Sequence, residues 1–118
     1  MRPMPIIAAA ALLFSASGAA RAANPTRIAE TGAFLLGNAH RCGVADDRVV
    51  RAGKVIRELI VAAADDPSEQ TAAKSRFAEM FRESARPEGN GRLPIPPCHT
   101  VVSQFERLEQ FHDQTGRR

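Results

Sequence analysis

Four stretches of this chain repeat apolar residues at steps of three and four, and none alternates apolar with polar over the length of a strand. That pattern restricts the fold to helices packed on helices. With 118 residues there is room for one small domain. The spacing predicts helices at about 25–42, 46–64, 67–85 and 98–113. Each start and stop has its own chemical cause.

Asn24-Pro25 opens the first helix, because Asn caps and Pro tolerates the first helical position. Ile28, Phe34, Leu35, Ala39 and Cys42 can share a broad apolar face, and Gly43 supplies the stop. Gly32 and Gly37 each weaken this helix by about 1 kcal/mol relative to Ala, a cost that close packing of another helix would offset. Along the second helix, Val49, Ala52, Ile56, Leu59 and Ala63 form a stripe widened by Val55 and Ile60. Lys54 and Glu58 are spaced for an i,i+4 pair. Asp66, Pro67 and Glu69 form a capping-box variant at the start of the third helix, which turns Ala73, Phe77, Met80, Phe81 and Ser84 inward. The fourth helix places Val101, Val102, Phe105, Leu108 and Phe111 inward. A Pro/Gly-rich connector at 86–97, ending Pro94-Ile95-Pro96-Pro97, joins the last two helices. Short links elsewhere favour antiparallel neighbours, so the expected fold is all-α, an up-down four-helix bundle in one domain over 23–118.

Residues 1–22 read as a signal peptide. Arg2 precedes the uncharged run Ile6 to Phe14, and Ala20-Arg21-Ala22 gives a small-x-small cleavage pattern. The run is far short of the ~20 residues that a spanning helix needs. Cleavage near Ala22 sends the chain to the periplasm or the exterior. The abundance of Arg over Lys, with many Ala, suggests a GC-rich bacterial source. Loss of Arg2 and Arg21 leaves 14 basic side chains against 13 acidic, so the basic character of the full chain is an N-terminal property. Nucleic acid is therefore not an expected partner.

The up-down topology brings the end of the first helix and the start of the fourth to the same end. Those are the positions of Cys42 and Cys98, the two cysteines of the chain. In an exported protein they are expected to form a disulfide that stabilises the fold by ~4 kcal/mol on the chain-entropy model. His40 and His99 flank the pair, so His40, Cys42, Cys98 and His99 are an alternative soft-metal set for Cu or Zn, or a redox centre. Oxidation would remove the thiolates, and catalytic disulfides usually occur as Cys-x-x-Cys, which is missing. The structural disulfide is the preferred reading. His112, near the end of the last helix, suits the helix dipole.

No phosphate loop, nucleophile elbow, zinc-protease motif or haem-attachment motif occurs in the chain. Asp46-Asp47 and Asp65-Asp66 fall at helix boundaries, where capping accounts for them. Neither enzymatic activity nor a cofactor is expected. Arg48, Arg51 and Lys54 form a basic stripe near a helix start, which the macrodipole disfavours, and this makes them candidate partner-binding residues. The expected function is non-covalent binding to a protein or cell-envelope component. An acid-stress periplasmic chaperone is an alternative of the same size and architecture, and it would loosen and expose apolar surface in acid.

Overall fold

A computed structural model describes residues 24–87 and 94–116. The expected signal peptide and the stretch 88–93 of the connector lie outside the described residues. Four helices occur in the expected order: α1 (Pro25–Arg41), α2 (Asp46–Ala63), α3 (Pro67–Ser84) and α4 (Cys98–Gly116). The three predicted starts and stops of α1 to α3 hold to within one residue, and α4 runs three residues beyond its predicted end.

The caps show why. Asn24 Oδ1 accepts the N–H groups of Thr26 at 2.8 Å and Arg27 at 3.2 Å. At the other end of α1, Gly43 takes φ of +93° and the chain closes a Schellman motif. In it the Val44 N–H donates to Ala39 O at 3.0 Å and the Gly43 N–H to His40 O at 3.1 Å. Asp66 Oδ1 accepts the Glu69 N–H at 2.8 Å, and Glu69 Oε1 reaches back to the Asp65 N–H at 2.8 Å. This is a capping box whose return bond falls one residue early. The Asp46-Asp47 pair does not cap. Ala45 holds the N-cap of α2 without a side-chain bond, and both acids sit in the first turn, where they meet the positive end of the dipole. The i,i+4 pair formed on α2 joins Arg51 to Asp47 at 3.1 Å rather than Lys54 to Glu58.

The hub of the bundle is α1, which packs on α2, α3 and α4 and most extensively on α3. Its innermost residues are Ala29, Ala33, Leu36 and Ala39, with Gly32 and Gly37 also buried. The larger residues of its predicted face, Ile28, Phe34, Leu35 and Cys42, are only partly buried. The reason is steric. A helix surrounded by three others needs small residues where its neighbours' axes come closest, and its large residues fill the angles between them. A Cβ on Gly32 would stand 2.8 Å from Ile56 Cγ2, and one on Gly37 would stand 2.5 Å from Ser84 Cβ. The close packing expected at these two glycines is therefore present. Ile56, Ile60, Phe77, Met80, Val101 and Phe105 complete the core.

The fourth helix is joined at its first residue to the end of α1 by the Cys42–Cys98 disulfide. Glu109, about 16 Å further along α4, is bonded to Arg48 in the first turn of α2. If α4 ran alongside α2 from the same end, Glu109 would lie beside the middle of α2. Instead α4 packs chiefly on α1 and meets α2 over only a short span. Val101 and Phe105 are buried, Leu108 is partly buried, and Phe111 is 43% exposed rather than inward. Among the described residues, no helix is long and apolar enough to cross a membrane.

Candidate functional site

The disulfide end gathers most of the chemically interesting side chains, and α1 positions them. Cys42 is the C-cap of α1 and half-buried, whereas Cys98 is exposed on the first turn of α4. Beside Cys98 lies Arg41. Its Nε donates to Asn38 Oδ1 at 3.0 Å, its Nη2 to Pro96 O at 3.0 Å, and its Nη1 approaches Cys98 Sγ at 3.9 Å. Asn38 is itself buried, and its Nδ2 donates to Phe34 O at 2.9 Å. The guanidinium thus ties the end of the connector to the hub helix. Neither Asn38 nor Arg41 was singled out by the sequence. The available signal was an Asn inside an otherwise small and apolar stretch; nothing marked Pro96 as its distant partner.

His40 is exposed, and its Nδ1 lies 3.3 Å from Asp46 Oδ1 at the start of α2. Its ring is also tilted against Phe81, with centroids 6.2 Å apart. His99 is exposed on the first turn of α4, and His112 is exposed towards its end. Both sulfurs of the His40, Cys42, Cys98 and His99 set are consumed in the disulfide, so neither is a thiolate ligand in this state. Among the described residues, no cluster of three or more His, Cys, Asp or Glu side chains is placed to hold a metal ion.

The basic stripe divides. Arg48 points towards α4, donating from Nε to Glu109 Oε2 at 2.9 Å and from Nη2 to Glu109 Oε1 at 2.6 Å. Its guanidinium also lies 5.4 Å from the centroid of the buried Phe105 ring. The hydrogen bonds that Arg48 donates to Glu109 hold its guanidinium above the ordinary arginine pKa; desolvation opposes them, and the charges of Glu109, Glu106 and Asp47 add smaller contributions upward. Arg51 and Lys54 remain on the exposed face of α2, where Arg57 joins them. Val50, 55% exposed, and Val61, 45% exposed, stand on the same line of the helix with Lys54 and Arg57 between them.

A shallow cavity of about 510 Å³ lies at the end of α3, lined by Glu79, Phe81, Arg82, Glu83, Ala85 and Arg86. Nearby, Ser84 Oγ is buried without a hydrogen-bond partner among the described residues. Comparison of the chain with models of protein families, with curated proteins and with solved structures finds no match.

Proposed function

We propose that this is an exported, disulfide-stapled binding protein that docks a protein partner through the outward face of α2. The observation that supports it is the line Val50, Lys54, Arg57, Val61, which places two exposed apolar side chains at either end of two cations. The spacing is i, i+4, i+7 and i+11, the repeat of a helix that meets another helix. Val50 and Val61 are about 16 Å apart along the axis. The best complement is an amphipathic helix with acidic residues at its centre and apolar residues towards both ends. Arg51 is at the edge of this face, already paired with Asp47, while Arg48 is given over to holding α4. A disulfide fits an oxidising compartment, and an N-terminal leader ending near Ala22 would deliver the chain there.

The test is cross-linking in the native envelope, followed by identification of the product with purified wild-type protein. The doubly reversed variant Lys54→Glu, Arg57→Glu should lose the product while keeping its helical circular dichroism. Reversing acidic residues on the partner should restore it. A product that survives the double reversal, or association with anionic vesicles in place of any protein, sinks the reading.

A further inference from the structure

Three arginines among the described residues are half-buried: Arg41, Arg48 and Arg76. Arg48 holds Glu109, and Arg76 holds Glu30 and Glu79. Arg41 holds two neutral oxygens and a sulfur, and no carboxylate among the described residues pairs with it. A guanidinium removed from bulk water is normally matched to an anion. Here the group it faces is Cys98 Sγ, which becomes an anion only when the disulfide is reduced. Two further features favour charge on that sulfur. Cys98 occupies the first turn of α4, at the positive end of its dipole, and it is exposed while Cys42 is half-buried. Reactive thiols are found in electropositive, accessible settings of this kind.

We propose that Cys42–Cys98 is an exchangeable disulfide, opened by an external dithiol, with Cys98 as the sulfur that leaves and remains reactive. A thiolate of the dithiol attacks Cys42 Sγ and forms a mixed disulfide. The Cys42–Cys98 bond breaks, and Cys98 takes the electron pair as a thiolate beside Arg41. The second thiol of the reductant, deprotonated, then attacks its own sulfur in the mixed disulfide and releases Cys42, which takes up a proton; the other proton goes to solvent. The protein gains two electrons and the dithiol becomes a disulfide. Cys98 is the better leaving group because the more acidic thiol leaves faster. Arg41 is a positioning residue whose place is set by Asn38 and Pro96, so its charge is in position before the thiolate exists. Among the described residues, the other ionisable side chains close in sequence to the two cysteines are His40, engaged by Asp46, and His99. Stabilising the reduced form makes a disulfide more oxidising.

The experiment compares single-thiol variants of the exported chain. In Cys42→Ser, ultraviolet absorbance of the thiolate against pH should give Cys98 a midpoint at least one unit below the usual thiol value of about 8.5. Cys42, read in Cys98→Ser, should titrate no lower than that value. Adding Arg41→Met to Cys42→Ser should return the midpoint upwards, whereas Arg41→Lys should keep it low. An ordinary midpoint for Cys98, or one indifferent to Arg41→Met, overturns the proposal. As a second measurement that needs no cysteine variant, oxidised wild-type protein is exposed to limiting glutathione and the mixed disulfide is located by peptide mass. Glutathione on Cys42, with about threefold faster alkylation of Cys98 than of Cys42 at neutral pH after full reduction, is the expected result. Glutathione on Cys98, or equal alkylation of the two thiols, refutes it.

Discussion

Replacing Gly37 by Ala tests the packing of the hub helix most directly, because two effects of opposite sign meet at one residue. Ala is the better helix former by about 1 kcal/mol, so an open site would gain that amount. The added methyl at Gly37 would instead stand 2.5 Å from Ser84 Cβ, 2.8 Å from Phe81 O and 3.0 Å from Ala85 N. Two of those three atoms belong to the α3 backbone and cannot swing aside. Relief therefore requires α1 and α3 to separate along their most extensive contact. Overpacking costs about 1–3 kcal/mol, and a contact this short belongs at the upper end. The balance for Gly37→Ala is a loss of about 2 kcal/mol once the helix gain is subtracted.

Gly53 provides the control within the same molecule. A methyl there meets nothing closer than 3.9 Å, from Arg57 Nη1 and Leu36 Cδ1. Gly53→Ala should gain about 0.5–1 kcal/mol. Gly32→Ala should fall between, since its obstruction is the Ile56 side chain, whose Cδ1 at 2.9 Å can move but whose Cγ2 at 2.8 Å is held near the backbone. Urea unfolding of the oxidised protein, followed by circular dichroism, measures all three against wild type. For a domain of this size, 1 kcal/mol corresponds to about 4–8 °C in Tm, so Gly37→Ala and Gly53→Ala should melt at least 10 °C or so apart. Adding Ser84→Gly to Gly37→Ala removes the 2.5 Å contact but leaves the carbonyl of Phe81, and should restore only part of the loss. If Gly37→Ala is as stable as Gly53→Ala, the close approach of α1 and α3 is refuted.

Removing the disulfide by Cys42→Ser with Cys98→Ser should cost ~4 kcal/mol, seen as a lower urea midpoint. Phe105→Ala empties a fully buried ring site on α4 and should cost about 3–5 kcal/mol in the same assay. Asn24→Ala deletes a side chain that satisfies two amides and should cost about 1 kcal/mol. A double-mutant cycle on Arg48 and Glu109 should show favourable coupling that weakens as salt is added, because both side chains remain partly solvated. Arg48 and Arg76 are held above the ordinary arginine pKa, chiefly by hydrogen bonds to Glu109 and Glu30. A raised folded pKa gives stability that is complete below the unfolded value and lost only as pH rises through the folded one. The arginine contribution should therefore be flat through neutral pH and fall only in strong alkali, as a urea series at increasing pH would show.

What was legible in the sequence is what local chemistry fixes. Asn24, Gly43, Asp66 and Pro67 set helix ends through their own backbone and side-chain bonds, so they could be read without knowing any neighbour. Cys42 and Cys98 could be paired because an end-to-end argument needs only element order. The face of α1 was harder to read. Hydrophobicity pointed to Phe34 and Leu35, but the buried centre of the face is Gly32, Ala33 and Gly37, with the close approaches at the two glycines, because interaxial distance, not apolarity, decides which residues face a neighbour. Phe111 fits the periodicity of α4 as well as Phe105 does. Its exposure goes with the short span over which α4 packs on the other helices, which no window of sequence contains. Arg48 illustrates the same limit from the other side: the disfavoured charge at a helix start is accounted for by Glu109, 61 residues later.

The small residues of α1 also explain why the staple is needed where it is. Gly and Ala let three helices approach one, but they contribute little apolar area themselves, so beyond Leu36 the core depends on Ile56, Ile60, Phe77, Met80 and Phe105 from the surrounding helices. The packing of α1 on α3 and α2 is extensive, whereas α4 meets α1 over a shorter span and α2 hardly at all. Its attachment accordingly relies on discrete links: Val101 and Phe105 in the core, Glu109 to Arg48, and Cys98 to Cys42 with Arg41 on Pro96. The covalent link therefore acts at the least extensively packed helix, where constraint adds most. A change in its redox state would act first on α4, leaving the α1–α3 packing and the outward face of α2 in place.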